Sequence, residues 1–239
     1  MLRKALLRFL IRTLLHPAPK ITISQAEEKQ FQLLFERINN DNNRSTKEIT
    51  YDLTIPKYKF FYYLSQQSFI FHGSNEQEIN EFQPRKQTLA NGKQVQAIFA
   101  TKDPIWSLFY ATLNKQKIVG SIRNGSLSVD DKRSYHYYSL TKETINNNPW
   151  TSGTIYIFND QDFTYVGEGS VQFNEWICQQ PATPLAKINV EPSDFYFLHK
   201  IAIHHPDESN VKTWLLYKLR TLFNKTLLQD DLPYRSRLD

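Results

Sequence analysis

The sequence predicts an α+β protein, because helical patterns gather near the N-terminus and strand patterns follow later in the chain. Apolar residues recur at helical spacing in the N-terminal part. Short runs rich in Val, Ile, Tyr and Phe, separated by turn residues, then continue until a last helix. The 239 residues are enough for one good core. We divide the chain into an N-terminal helical segment, residues 1–67, and a main domain, residues 68–239.

The first helix is predicted over residues 1–16, which contain no acidic residue. Lys4, Arg8 and Arg12 recur every four residues and therefore share one helical face. The apolar residues that fall largely opposite are Leu2, Ala5, Leu6, Phe9 and Leu10. This helix is too short and too charged to be a transmembrane segment. It could pack on the core or on an inhibitory or docking partner, lie on an anionic membrane, or act as an address peptide, and packing is the interpretation we favour.

The remaining elements follow from capping and periodicity. Ser24 and Glu27 form a capping box that starts a helix over residues 24–39. Pro56 opens a third helix, and Asp103 caps a fourth that begins at a proline and runs through Leu113. A last helix is predicted over 209–223, with one side formed by Val211, Leu215, Leu219 and Leu222. The predicted strands are 68–72, 95–100, 135–140, 154–158, 171–177, 185–190 and 195–203.

Composition excludes several classes of protein. Only seven glycines occur, and neither common glycine-rich nucleotide motif is present. Cys178 is the single cysteine, which rules out an intramolecular disulfide and a cysteine-rich metal cluster and favours a reducing, cytoplasmic location. Six scattered histidines make metal catalysis an unattractive hypothesis. The formal charge of +5 mildly favours an acidic partner such as nucleic acid, or an anionic small ligand.

The first candidate ligand-binding feature is His72-Gly73-Ser74, at the end of a predicted strand. A histidine in this position can donate a hydrogen bond to a ribose hydroxyl, and a glycine lets a ligand approach the backbone closely. Taken alone, a histidine that merely caps the strand is the simpler interpretation.

The second feature combines the predicted strand over 95–100 with Ser107 and Tyr110 on the helix that follows. Ser107 and Tyr110 are three residues apart, so they share a helical face. A hydroxyl beside an aromatic ring suits a flat carboxamide ring such as nicotinamide. Taken alone, an ordinary core helix is the simpler interpretation.

The third feature is the predicted strand over 171–177. Period-two alternation sets Glu175 on one face with Val171, Phe173 and Ile177. A carboxylate among apolar neighbours is costly to bury without compensation, so Glu175 is a functional-site candidate with a raised pKa. The alternative is a solvated glutamate on an edge strand.

Together these features resemble the ADP-ribosyltransferase fold of diphtheria toxin and the poly(ADP-ribose) polymerases, in its His-Tyr-Glu branch. The pattern of that branch is a strand ending in HG[ST], then G-[IV]-Y, a serine and a second tyrosine, and finally a strand carrying N-E. Here His72-Gly73-Ser74 matches the first part, and Ala97-Ile98-Phe99 stands where G-[IV]-Y is expected. Ser107 and Tyr110 follow Phe99 by eight and eleven residues, as in the polymerases, and Asn174-Glu175 matches the last part.

The resemblance covers about residues 72–177 and implies a split β-sheet core with N-terminal helices. It also implies that NAD+ is a substrate and that no metal takes part. His72 would bind the adenosine ribose, the Gly73 backbone and the Ser107 hydroxyl would hold the carboxamide, and Phe99 and Tyr110 would sandwich the nicotinamide ring. The complete NAD+-binding set implied in this way is His72, Gly73, Ser74, Phe99, Ser107 and Tyr110.

Glu175, His72 and Tyr110 are the catalytic residues that the resemblance implies. Glu175 would hold the 2′-hydroxyl of the nicotinamide ribose and stabilise the positive charge that develops as nicotinamide leaves. The sequence departs from the family at Phe99, which keeps an aromatic ring but lacks the hydroxyl of the expected tyrosine. Phe173 stands where arginine-modifying members carry Glu or Gln, which argues against an arginine acceptor.

Other charged residues are weaker candidates. Arg85, Arg123 and Lys187 could meet a pyrophosphate, although a solvated surface position is the simpler interpretation for each. Glu168 is a rival acid close to Glu175, and its Gly-Glu-Gly context favours a turn.

The function predicted from this resemblance is mono-ADP-ribosyl transfer from NAD+ to a macromolecular acceptor, either protein or nucleic acid. A toxin or effector role is implied only by the roles of other members of that family. An NAD+ glycohydrolase would use the same residues with water as acceptor. Two alternatives remain. One is a catalytically silent module that binds a partner or associates with a membrane through its basic helix, residues 1–16, and the other is a chance match of motifs on another α+β domain.

Overall fold

The fold is described from a computed structural model, which covers residues 2–39, 46–129 and 133–223. The helices within these ranges begin close to where the sequence predicts them, and one short helix, α5, was not predicted. They are α1 (Leu2–Leu14), α2 (Gln25–Asn39), α3 (Lys57–Ser65), α4 (Pro104–Thr112), α5 (Lys142–Asn146) and α6 (Asn210–Phe223). Met1, which opens the first predicted helix, and residues 224–239 of the predicted main domain lie outside the described ranges.

The strands of the described ranges are mostly short, and four of them have only two residues. They are β1 (His16–Pro17), β2 (Lys47–Glu48), β3 (Phe69–Ser74), β4 (Arg85–Thr88), β5 (Gln94–Ala100), β6 (Ile122–Ser128), β7 (Tyr135–Thr141), β8 (Gly153–Asn159), β9 (Thr164–Tyr165), β10 (Gln172–Phe173), β11 (Trp176–Cys178), β12 (Ala186–Val190) and β13 (Ala202–His204). The mixture of helices and largely antiparallel strands confirms the predicted α+β class.

These strands form three small sheets. One has the order β1-β7-β6-β10, with β13 parallel to β7, and the other two have the orders β4-β5-β11-β9 and β2-β12-β8-β3. The last two sheets meet at an isolated bridge between Phe71 of β3 and Thr101, directly after β5. Phe71 and Thr101 exchange both backbone hydrogen bonds, at 3.0 and 2.9 Å. Beyond this bridge β3 and β5 separate, and the candidate site lies at that separation.

Helices α2 and α4 start as their capping residues predict. The Ser24 backbone N–H donates to Glu27 Oε2 at 2.8 Å, and the Glu27 N–H donates to Ser24 Oγ at 3.3 Å, which confirms the capping box. The Asp103 carboxylate accepts from the first free N–H groups of α4, those of Ile105 and Trp106, at 3.0 and 3.2 Å. Both helix starts are therefore fixed by local sequence.

One large core joins the N-terminal helices to the later strands. Phe31 of α2 and Phe61 of α3 are fully buried in the same cluster as Phe71 of β3 and Phe109 of α4. The rings of Phe61 and Phe71 lie 5.6 Å apart. Helices α2 and α3 therefore share a core with the later strands and do not form a separate one.

The predicted strand over 171–177 is wrong as one continuous element. Gln172–Phe173 pairs with β6, whereas Trp176–Cys178 pairs with β5 in another sheet. The chain changes sheets at Asn174 and Glu175, because the Asn174 backbone N–H donates to the Ser126 carbonyl and its side chain binds the segment after β5. Glu175 consequently lies at a junction between two sheets and not in the middle of a strand.

The predicted strand over 195–203 is also wrong for most of its length. Two 3-10 turns, Pro192–Asp194 and Leu198–Lys200, bury Phe195 and Phe197 without a strand, and only Ala202–His204 pairs with β7. Besides three strands of two residues each, two longer strands were missed because their sequences carry little apolar alternation. They are β4, with the sequence RKQT, and β6, with the sequence IRNGSLS.

Helix α4 lies unusually close to strands β3 and β8, and two glycines make this approach possible. A Cβ at Gly73 would collide with the Ser107 carbonyl oxygen, and a Cβ at Gly153 would collide with the Ala111 carbonyl oxygen. Both obstacles are helix backbone, which cannot rotate away as a side chain could. The position of α4, and with it that of Ser107, depends on the absence of a side chain at these two points.

We expect Gly153→Ala to destabilise the protein by at least about 2 kcal/mol, because the added methyl group forces α4 away from β8. Urea denaturation followed by circular dichroism measures this change in the free energy of unfolding. Lys142→Ala, an exposed change on α5, provides the comparison. A Gly153→Ala protein as stable as wild type would contradict the close packing described here.

Candidate functional site

A cavity opens where β3 and β5 separate, beside the face of α4 that carries Ser107 and Tyr110. Its empty volume is about 580 Å³, part of which is open to solvent. Residues from β3, β4, β5, α4 and the β10–β11 junction contribute to its walls. The lining residues are Phe71, His72, Gly73, Gln87, Phe99, Ala100, Thr101, Trp106, Ser107, Tyr110, Lys115 and Glu175.

The backbone of Gly73 faces the opening between the sheets. Phe71 directs its N–H and C=O away from β8 and toward Thr101. Because alternate residues of a strand direct these groups to the same edge, the N–H and C=O of Gly73 point to that edge as well. The bridge at Thr101 ends the pairing there, so one donor and one acceptor of Gly73 face the cavity.

His72 is held in a single tautomer by a hydrogen bond to β5. Its Nδ1 donates to the Phe99 carbonyl oxygen at 2.6 Å, and its ring contacts Phe82 edge-on, with centroids 4.8 Å apart. Burial lowers the pKa of His72 to about 4, and the charges of Lys115 and Arg85 add to this effect. The neutral ring therefore has only a lone pair on Nε2, so it can accept a hydrogen bond from a hydroxyl but cannot donate one, in contrast to the sequence-based expectation.

Ser107 and Tyr110 occupy the face of α4 that borders the cavity. Ser107 is 1% exposed, and its hydroxyl donates to the Pro104 carbonyl at 2.8 Å. Its oxygen lone pairs remain able to accept a hydrogen bond. Burial raises the pKa of Tyr110 to about 12, so its hydroxyl stays protonated near neutral pH. The cavity thus has a hydroxyl acceptor next to an aromatic ring, as the sequence predicts for a carboxamide ring.

Glu175 is half-buried at the opposite wall. Its Oε2 accepts a hydrogen bond from the Ala90 backbone N–H, in the turn between β4 and β5, at 2.9 Å. Burial raises the pKa of Glu175, and the bond from Ala90 opposes that shift. The site therefore has a carboxylate that is held by one backbone donor in partly desolvated surroundings.

Asn174 fixes the segment that carries this carboxylate. Its Oδ1 accepts from the Thr101 hydroxyl and from the Lys102 backbone N–H, both at 3.1 Å. Thr101 is also the residue that forms the bridge to Phe71. One amide side chain therefore ties the position of Glu175 to the point where the two sheets meet.

Of the site residues expected from the sequence, one lies outside the cavity lining. Ser74 is buried at the end of β3, where its hydroxyl accepts from the Glu76 backbone N–H at 3.1 Å. This bond ends the strand with a local turn, and it explains the serine without a ligand. The other six expected residues, His72, Gly73, Phe99, Ser107, Tyr110 and Glu175, line the same cavity.

Several lining residues escaped sequence analysis. Lys115 follows α4, with its ammonium 6.0 Å from the centroid of the Tyr110 ring, and Gln87 comes from the missed strand β4. Arg85, on the same strand, was a candidate from the sequence; it lies outside the lining but is near enough for its charge to lower the pKa of His72. Two cations therefore lie near one end of the cavity. No pattern in the sequence indicates this, because it depends on how β4 folds against β5.

Two of the other charged candidates, Arg123 and Lys187, have structural partners. Arg123 donates to Thr213 and to the Glu208 carbonyl oxygen, and its guanidinium lies 3.7 Å from the Glu208 carboxylate. Lys187 binds the Gln77 carbonyl oxygen at 2.9 Å. These bonds stabilise the fold, and neither residue lines the cavity. Glu168 is exposed and also lies outside that lining.

Comparisons of the chain with protein-family models, with curated proteins and with solved structures found no match. Among the described residues, no group of three His, Cys, Asp or Glu side chains is arranged to hold a metal ion.

We expect the His72 imidazole to titrate near pH 4, because burial disfavours its charged form. The unfolded chain binds this proton more readily, so His72 makes the fold less stable as the pH falls from 6.5 toward 4. NMR of ¹⁵N-labelled histidine measures both the tautomer and the titration midpoint, and His72→Asn assigns the resonance. A midpoint near 6.5, or an Nε2–H tautomer at neutral pH, would contradict the bond to Phe99.

Proposed function

We propose that the protein cleaves the bond between nicotinamide and ribose in NAD+ and transfers ADP-ribose to a macromolecular acceptor, either protein or nucleic acid. One observation carries the proposal: the motif residues that resemble the His-Tyr-Glu branch are far apart in sequence, yet six of them line one cavity. They are His72, Gly73, Phe99, Ser107, Tyr110 and Glu175. The separation of β3 and β5 beyond one bridge is compatible with the split sheet of that fold.

The walls of the cavity suit a nicotinamide ring. The Gly73 N–H can donate to the carboxamide oxygen, while its C=O and the Ser107 oxygen can accept from the carboxamide nitrogen. Phe99 and Tyr110 provide aromatic surfaces for a flat cationic ring. Phe99 lacks the hydroxyl of the family's tyrosine, and stacking does not require that group.

Glu175 and His72 would act on the two ribose groups. The Glu175 carboxylate would accept from the 2′-hydroxyl of the nicotinamide ribose and stabilise the positive charge at the anomeric carbon. Nicotinamide leaves with the electrons of the C–N bond, and an acceptor nucleophile then forms the new bond to that carbon and loses its proton. The neutral His72 would accept from a hydroxyl of the adenosine ribose through Nε2. Lys115 and Arg85 supply positive charge for the pyrophosphate.

We expect Glu175→Gln to lower kcat for nicotinamide release from NAD+ by at least about 100-fold, because the amide cannot stabilise the developing charge as a carboxylate does. The assay uses purified full-length protein, with and without cell lysate containing RNA and protein. Glu168→Gln, the same change at an exposed acid seven positions earlier, is the matched control and should retain activity.

Labelled NAD+ in the same assay identifies the acceptor. Label on protein or on RNA supports transfer and names the acceptor class, whereas free ADP-ribose alone identifies water as the acceptor and a glycohydrolase. Wild-type protein that is folded but releases no nicotinamide under either condition would contradict the proposed activity.

As the pH is lowered, we expect kcat for nicotinamide release to begin to fall at a higher pH than the pKa of an ordinary glutamate would predict. Burial raises the pKa of Glu175 above 4.5, and the proposed role needs the ionised form, which is lost as the pH falls through that raised value. A pH profile of kcat, with circular dichroism at each pH to verify folding, makes the measurement. A rate that is constant down to an ordinary glutamate pKa would show that ionised Glu175 has no part in the reaction.

A further inference from the structure

Helices α1 and α6 lie together on one face of the β1-β7-β6-β10 sheet. Ile11 and Leu15 from the α1 end and Tyr217 from α6 are buried in the same cluster as Leu127 and Tyr137 of that sheet. The two helices also contact each other, since Lys218 Nζ donates to the Arg12 carbonyl oxygen at 3.4 Å. The side of each helix that does not contact the sheet therefore faces away from it, and these two sides lie next to each other.

The outward side of α6 is apolar, and its inward side is partly polar. The buried residues of α6 are Thr213, Tyr217 and Thr221. At about 100° per residue, the apolar residues lie on the other side of the helix. They are Val211, Leu215, Leu219 and Leu222, exposed by 68, 52, 51 and 55%. The side that sequence analysis identified as apolar thus faces solvent and not the core.

Helix α1 shows the same arrangement. It packs on the core through Ile11, whereas Leu6, Phe9 and Leu10 are exposed by 58, 66 and 39%. The expectation that this helix packs on the core is confirmed, but a different set of residues makes the contact. We use the term outer face for the exposed apolar residues of both helices, which are Leu6, Phe9, Leu10, Val211, Leu215, Leu219, Leu222 and Phe223.

Every charged side chain within the two helices is basic. Lys212 and Lys218 flank the apolar stripe of α6 on its two sides, and Arg12 is exposed on α1. Asp207 and Glu208 precede α6, and the Glu208 carboxylate is neutralised by Arg220 at 2.6 and 2.8 Å. An apolar stripe bordered by cations is the composition of helices that lie in the interface of an anionic bilayer.

We propose that the outer face docks on an anionic phospholipid surface, with α1 and α6 lying parallel to it. Val211, Leu215 and Leu219 would enter the boundary between headgroups and acyl chains, and the flanking cations would meet lipid phosphates. No helix of the described residues is long and apolar enough to cross a bilayer. A second copy of the chain fits less well, because a two-fold contact would bring the basic rims of both copies together. This inference does not depend on the proposed enzymatic function.

The experiment is sedimentation of the full chain with vesicles of phosphatidylcholine alone or mixed with phosphatidylglycerol. We expect binding to the mixed vesicles only, weakened by added salt because the cations contribute. Leu219→Asp and Phe9→Asp should each weaken binding at least about tenfold. Each removes an apolar contact with the bilayer and adds a negative charge that the anionic lipids repel. Leu33→Asp is the matched control, because Leu33 is 61% exposed on α2, outside the outer face.

Three results would overturn the proposal: no sedimentation with mixed vesicles, equal sedimentation with both vesicle types, or an equal loss in Leu33→Asp. Light scattering gives the other decisive test. A wild-type dimer that Phe9→Asp and Leu219→Asp convert to monomer would assign the outer face to contact between copies. Glu175→Gln should bind vesicles as wild type does, so a failure of the docking proposal can be distinguished from a failure of the proposed enzymatic function. Circular dichroism verifies that each exposed substitution leaves the fold intact.

Discussion

The arrangement of the site depends on a close contact between helix backbone and strand backbone. Because Gly73 and Gly153 have no side chains, α4 lies directly on β3 and β8. That contact sets Ser107 against the strand edge at which the Gly73 backbone faces the cavity. A larger residue at either glycine would widen the space between helix and strands and move the Ser107 hydroxyl away from the backbone groups of Gly73.

A second constraint sets the opposite wall. The chain leaves one sheet after Phe173 and enters another at Trp176, and Asn174 fixes the crossing through Thr101 and Lys102. Thr101 also bridges to Phe71, so the wall with the carboxylate and the wall with the glycine share one anchor. The spacing of these two walls therefore depends on that shared anchor.

The sequence indicated which residues lie together better than it indicated how they are arranged. His72, Ser107 and Glu175 could be selected because residue type, order and spacing are visible without tertiary information, and the structure places them around one cavity. The break between Phe173 and Trp176 could not, since period-two alternation continues through it, and partner strands decide where a strand ends. The orientation of α6 was also hidden, because tertiary contacts bury Thr213 and Thr221 and leave a leucine-rich side exposed.

The glycine contact also bears on how distant relatives of this chain could be found. Side chains of a ligand site can change with the ligand, whereas a collision with helix backbone penalises every larger residue equally, whatever the protein binds. Relatives should therefore keep a small residue at the positions of Gly73 and Gly153, with a helix between them that starts at the proline of an Asp-Pro pair. This widely spaced pattern would survive divergence in which the residues of the candidate site, and overall sequence similarity, have been lost.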